Sequence, residues 1–282
     1  MIGEDGPSRP AEESTAAQLR RAVESLHQAR RETAQTTSDL SIDEELSLHS
    51  IGWEPVELVV GTSVFSVPST AWSWGQGEIA AASQAHARAF SSASAEIHRD
   101  AASVGGHGIV GVHIDRSIHR THIDVSLIGT AVRPVGAKAI SAQEVFVSDL
   151  SGRDLSLLIA SGWLPLGLAA GAAFVYAPRR GAAMVLQQKS QNVELENFTE
   201  AMYSARETAM ERMQAAAIAI GGTGVVEVKV TEGPMPFASH AVGFTTWGTV
   251  VRLGEEAHRH LDPRVSVSLD DQVLAFEAKT LR

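Results

Sequence analysis

An α+β fold built twice, as two tandem two-layer domains each made of a small antiparallel sheet under one long helix, is what this sequence implies. Two observations carry it. Ser38–Gly61 aligns without a gap on Ser148–Gly171 at a constant offset of 110 residues, and the apolar stripes of two later helical stretches superimpose at an offset of 116. A third is the return of the stretch Gly105–Arg133, GGHGIVGVHIDRSIHRTHIDVSLIGTAVR, as a weaker copy over Gly221–Arg252. With 282 residues the chain has room for two domains of ordinary size. The boundaries that follow are 1–37 for an N-terminal segment with a peripheral helix, 38–136 and 145–253 for the two copies, and 254–282 for a tail.

Residues 1–13 are rich in Pro, Gly and acids and are expected to be loose. From Ser14 to Thr36, Leu19, Ala22, Val23, Leu26 and Ala29 fall on one helical stripe, narrow and made mostly of small side chains. It suits a helix docked on its own domain, or one that meets another molecule.

Each copy then opens on a corner. Ser41 with Glu44, and Ser151 with Asp154, have the spacing of a capping box, so a short helix starts there. Gly52 and Gly162 can take the left-handed conformation that ends it, and Pro55 and Pro165 keep it from resuming. Trp53 and Trp163 anchor the corner, and a short strand is expected next. The uncharged run Leu155–Pro178 has the length of a membrane span. Its copy carries Glu44, Glu45, His49, Glu54 and Glu57, so a buried corner and strand is the better reading.

The long helices are placed near Glu78–Val104 and Val193–Ile220. Ile79 superimposes on Leu195, His86 on Met202, Ala93 on Ala209 and Ile97 on Met213, all at spacings of three and four that share one face. The recurring alanines imply a close approach of helix to sheet. His86, with a methionine as its twin, reads as a core histidine, and His98 as an exposed one. Both helices end in a double glycine, Gly105-Gly106 and Gly221-Gly222, which reads as a C-cap and not as a phosphate cradle, since phosphate loops open helices and these close them.

The hairpin that follows alternates with period two. Val110, Val112 and Ile114 are expected to share the helix-facing side with Ile123, Val125 and Leu127. With a turn centred on Ile118 and His119, Asp115 falls opposite His122 and His113 opposite Asp124. Imidazole with carboxylate is a first shell for zinc, nickel or copper, and His119 at the turn is a further candidate ligand. The same pairs also serve as a hydrogen-bonded or pH-responsive ladder without metal. In the second copy Glu227 and Lys229 stand for His113 and Asp115, and Ala241 and Gly243 for His122 and Asp124, so such a site belongs to the first copy alone. In the tail, Val265, Val267 and Leu269 alternate as a strand, and His258 and His260 read as a surface loop.

A net charge of −10 without a Lys/Arg cluster argues against nucleic acid or an anionic membrane as partner. The absence of cysteine removes thiolate nucleophiles, disulfides and CxxC sites. No signal-peptide pattern opens the chain, so the cytoplasm is the expected compartment. No nucleophile with its base, cofactor fingerprint or carboxylate pair shared by the copies points to an enzyme.

The ordered run of long helix, GG turn, IVGVHID strand, loop and VSLIGTAV strand resembles the YbjQ-like family, whose description is heavy-metal-binding. The resemblance is close over Val56–Arg133 and looser over Leu166–Arg252, as in a tandem fusion of two such domains. It implies a helix-covered antiparallel sheet per copy and homo-oligomeric rings, typically pentamers. The His/Asp pairs do not match a cysteine-based site of that family. Two readings follow: a non-enzymatic, self-assembling protein that binds a divalent metal through His113, Asp115, His119, His122 and Asp124, or a ring-forming scaffold in which metal plays no part.

Overall fold

The computed structural model describes residues 36–73, 75–177 and 195–254. All but the last residue of the expected N-terminal helix, and the whole of the expected tail strand with His258 and His260, lie outside them. Within them the chain folds as a duplicated helix-on-sheet unit.

Helix α1 (Ile42–Ser50) begins in a complete capping box: the Ser41 hydroxyl accepts from the Glu44 N–H at 3.3 Å, and the Glu44 carboxylate accepts from the Ser41 N–H at 2.8 Å. Its twin α3 (Gly152–Ala160) starts with the Ser151 hydroxyl accepting from the Asp154 N–H at 3.1 Å. Gly52 and Gly162, at φ +78° and +86°, turn the chain out of these helices. Strands β1 (Trp53–Ser66) and β5 (Trp163–Tyr176) follow, each 14 residues and therefore much longer than the short strand expected. Each shifts register just after its proline, where the missing N–H interrupts the ladder.

Both strands can continue beneath a helix because each carries a glycine at the crossing. A Cβ on Gly61 would overlap the Ala93 carbonyl of helix α2 (Ala80–Ser103), and one on Gly171 the Ala209 carbonyl of helix α4 (Glu196–Ala219). The alanine stripes thus do bring helix and sheet together. The double glycines cap the helices as expected: Gly106 N–H donates to Ala101 O at 2.8 Å and Gly222 N–H to Ala217 O at 3.0 Å, with Gly105 and Gly221 left-handed.

The hairpins are β2 (Gly108–Ile118) with β3 (His122–Pro134), and β6 (Gly224–Met235) with β7 (Ala238–Leu253). A two-residue strand, β4 (Phe146–Val147), runs parallel to β2. The first sheet has the order β1-β3-β2-β4 and the second β5-β7-β6. The lead-in to the second copy therefore completes the first copy's sheet. No helix among the described residues is long and apolar enough to cross a membrane; the described part of the uncharged run, residues 155–177, carries the rest of α3 and then β5.

One expectation for the hairpin face fails. Gly111 and its structural counterpart Glu227 both adopt positive φ, +63° and +51°, at a bulge in β2 and β6. The extra residue reverses the side-chain alternation, so Val112 faces the long helix while Val110 packs on the other side with Leu48, Leu150 and Leu155. The bulge also corrects the alignment of the copies: Glu227 matches Gly111, and Lys229 matches His113.

His86 is buried against Phe174, and burial followed by the nearby Arg116 charge pushes its pKa down to about 3. It is a neutral core histidine. His98 is half-buried, with Nδ1 2.6 Å from the Ser94 carbonyl.

Candidate functional site

The hairpin turn is two residues further along than the alternation alone suggested. Ile118 pairs with Ile123, Ser117 with Asp124, Asp115 with Ser126 and His113 with Ile128. The two expected His/Asp cross-strand pairs therefore do not form, because a four-residue turn closed by the His119 N–H donating to the His122 carbonyl at 2.9 Å shifts the whole register.

The turn instead gathers three of the five candidate residues. Donor atoms of His119, His122 and Asp124 all lie within 4.8 Å of one another. The imidazoles stack with centroids 4.4 Å apart, and their Nε2 atoms lie 3.5 and 3.7 Å from the Asp124 carboxylate. Thr121 Oγ1 sits 3.0 Å from His122 Nδ1, which leaves Nε2 of that ring turned to the carboxylate. Asp124 Oδ1 is buried without a hydrogen bond of its own. Two imidazoles and a carboxylate suit zinc, nickel or copper, whose ligand atoms sit ~3.3 Å apart around a tetrahedral ion at ~2.0 Å. The donor atoms stand somewhat wider than that, within 4.8 Å of one another, and their chemistry fits a three-ligand divalent site. His113 and Asp115 are exposed further down β2, outside this cluster.

A second polar locus, not anticipated from the sequence, lies where the copies meet. The Asp149 side chain is fully buried; its Oδ1 accepts from Thr249 Oγ1 at 2.6 Å, and its Oδ2 lies 3.3 Å from Lys229 Nζ. The Oδ2 atom lacks hydrogen-bond alignment, but an ion pair at this distance does not need it. Burial opposes the Lys229 charge, yet Asp149 and Glu227 outweigh it and hold the ammonium above its ordinary pKa. These groups border a cavity of about 330 Å³ that also meets Asp39, His113 and Thr130 of the first copy. A signal was present in the sequence: Asp39 and Asp149, and the Gly-Thr pairs at Thr130 and Thr249, recur in both copies.

The junction is made by main chain as much as by side chains. The Ser148 N–H donates to Ile109 O at 2.9 Å, Val112 N–H to Ser148 O at 3.1 Å and Gly111 N–H to Leu150 O at 2.8 Å. At the other end, β5 reaches over the start of α2, where Ile79 N–H donates to Phe174 O at 2.7 Å and Phe174 N–H to Ser83 Oγ at 3.2 Å. Arg212 holds Glu78 through both guanidinium nitrogens, at 2.6 and 3.0 Å. That contact holds Glu78 below the ordinary carboxylate range.

A helix-covered antiparallel sheet, repeated with its glycine crossings and its positive-φ bulge, defines a tandem α+β repeat protein of the helix, double-glycine and hairpin type. A family model described as "Putative heavy-metal-binding" matches residues 184–254. The chain is also 37% identical over 223 residues to the encapsulin nanocompartment protein Rv1762c of Mycobacterium tuberculosis, covering 77% of this chain and 85% of that relative. The chain belongs to the YbjQ-like family. The family match falls on the second copy, which the sequence had suggested was the looser one. That copy has neither His122 nor Asp124 in its counterpart positions, so the family pattern resides in the helix, the double glycine and the strands and not in the histidine cluster.

Proposed function

We propose that this protein is a non-enzymatic, self-assembling building block, a homo-oligomeric scaffold subunit whose copies join through the surfaces of their repeats. One observation carries the reading. Large apolar side chains that are buried where the second repeat seats on the first have exposed counterparts elsewhere in the described residues, among them Val64, Leu195 and Val228. A chain that keeps such surfaces in water gains by covering them. The relative named as an encapsulin nanocompartment protein supports assembly as the outcome.

A second reading, divalent-metal binding, is favoured by the convergence of His119, His122 and Asp124. A metal held there would sit at the tip of the β2–β3 hairpin, at one site per chain. Metal binding and assembly are separable, since the cluster and the repeat junction share no residue.

The solution mass of the purified full chain, by light scattering at micromolar concentration with chelator and again with zinc, tests the proposal. Assembly gives a discrete multiple of 29.9 kDa in both conditions. A mass of 29.9 kDa throughout refutes the scaffold reading.

A further inference from the structure

We propose that one chain joins the next head to tail by strand addition, with the Thr36–Leu40 segment of one copy pairing along the edge of β6 in another, an edge that no strand covers among the described residues. The inference rests on the self-assembly reading and specifies its interface. The first and second repeats already make this joint once, inside the chain, and the structure holds both halves of a second, unmade one.

Each repeat has a plug and a socket. The second repeat's plug is the Phe146–Leu150 segment with the end of β5, and it fills the first repeat's socket, the β2 edge with the start of α2. The corresponding plug of the first repeat is Thr36–Leu40 with the end of β1. The corresponding socket of the second is the β6 edge with the start of α4. Burial separates the made joint from the unmade one. Val112 is 3% exposed and its counterpart Val228 41%; Phe174 is 0% and its counterpart Val64 60%; Ile79 is 3% and its counterpart Leu195 41%. Asp149 is buried, while Asp39 is exposed.

The free plug is held in the shape of the seated one. The Leu40 N–H donates to Ser38 Oγ at 3.0 Å as Leu150 N–H does to Ser148 Oγ at 3.1 Å. The Asp39 N–H donates to Thr130 Oγ1 at 3.0 Å as Asp149 N–H does to Thr249 Oγ1 at 3.1 Å. The socket is equally prepared, because the positive φ at Glu227 reproduces the Gly111 bulge that turns two successive N–H groups toward the plug. Glu227 holds this conformation although it lacks glycine's freedom, which ordinarily costs ~1 kcal/mol or more.

Transferring the intramolecular register gives the contacts. Ser38 N–H donates to the Val225 carbonyl of the next chain, Val228 N–H to the Ser38 carbonyl, and Glu227 N–H to the Leu40 carbonyl. Open strand edges accept such additions readily because main-chain groups supply the affinity and side-chain fit the choice of partner. The joint is heterologous, so it propagates from chain to chain and closes where the rotation per chain allows a ring. The two joints are not identical: Gly152, which lets α3 press against Glu44 and Leu48, has Ile42 as its counterpart. The helices stand further apart at the intermolecular joint, and the strand contact carries it.

The chain has no cysteine, which makes the test clean. Phe146 and Gly108 are directly paired in the made joint, so their counterparts Thr36 and Gly224 are replaced together as Thr36→Cys/Gly224→Cys. A Cβ on Gly224 meets nothing closer than the Val251 methyl at 3.6 Å, so the fold accepts it. The full-length variant is oxidised with diamide and run on a denaturing gel without reductant, beside the wild-type solution mass. Head-to-tail joining gives a ladder of chain multiples that collapses on reduction. A disulfide confined to single chains, or unreacted thiols in an assembly of wild-type mass, overturns the strand-addition joint while leaving self-assembly in place. A monomeric wild type overturns both. A second variant, Val228→Lys, keeps the circular dichroism of the folded chain because the residue is solvent-facing in the single chain, and its mass falls to 29.9 kDa. Retention of the wild-type mass by that variant also overturns the joint.

Discussion

The backbone N–H of Ser148 donates to the carbonyl of Ile109 at 2.9 Å, so the first residues of the second repeat are a strand of the first repeat's sheet. Neither repeat is complete alone in this arrangement, and the side chain that follows, Asp149, is buried by it. Asp149→Ala removes the buried carboxylate from the Thr249 hydroxyl and the Lys229 ammonium, leaving Lys229 only Glu227 at 3.3 Å. Since Lys229 is partly open to solvent, the expected loss is about 2 kcal/mol, below that for a fully buried pair. Asp39→Ala removes the exposed counterpart and costs under about 0.5 kcal/mol under conditions that keep the chain single. Urea unfolding of both variants separates the two positions.

Gly61→Ala and Gly171→Ala each place a methyl into the backbone of the helix above. Neither helix nor strand can yield without breaking its ladder, so each variant loses about 3 kcal/mol, the upper end of ordinary overpacking. Thermal melting checks this, and Gly52→Ala is the comparison. It meets no atom within 4 Å and pays only for its left-handed φ, about 1 kcal/mol.

His86 gives the protein an acid-labile component whose sign is fixed. Its folded pKa is depressed from 6.5 to about 3, so below 6.5 the unfolded chain binds a proton that the native one does not. Stability is intact above pH 6.5 and declines by about 1.4 kcal/mol per pH unit as the pH falls toward 3, where the decline ends. His86→Met, which installs the residue found at the twin position Met202, removes that slope. The difference between the two unfolding curves against pH is the readout; parallel curves would contradict it.

At the hairpin tip, calorimetric titration with zinc at pH 7.5 is expected to show one site per chain, abolished in His119→Ala/His122→Ala and weakened at least tenfold in Asp124→Ala. His113→Ala and Asp115→Ala bind as the wild type does. Loss of binding in His113→Ala would place the site elsewhere on β2.

Much of this architecture was legible in the residues themselves. The serine caps, the glycines after α1 and α3, the double-glycine helix ends and the alanine faces are local devices, and each repeats at a fixed offset. What periodicity could not register is the inserted residue at Gly111. A bulge leaves the letters of an alternating strand unchanged while reversing the faces beyond it, which misdirected Val110 and the match of Lys229 to His113. The turn length was equally hidden, since IHRT offers no glycine or proline to mark its centre. That is why the candidate cluster reduces from five residues to His119, His122 and Asp124. The Asp149 junction left a trace in the recurring Asp and Gly-Thr positions, but its burial depends on one repeat lending strand to the other, and composition says nothing about which copy's sheet a segment joins.

Amide hydrogen exchange along β6, followed against protein concentration, bears most directly on head-to-tail joining. The amides of Glu227 and Val228 should be as protected as those of Gly111 and Val112 at high concentration, and should lose that protection on dilution while the β2 amides keep theirs. Protection of Glu227 and Val228 that is absent at every concentration, or constant across all of them, would contradict it.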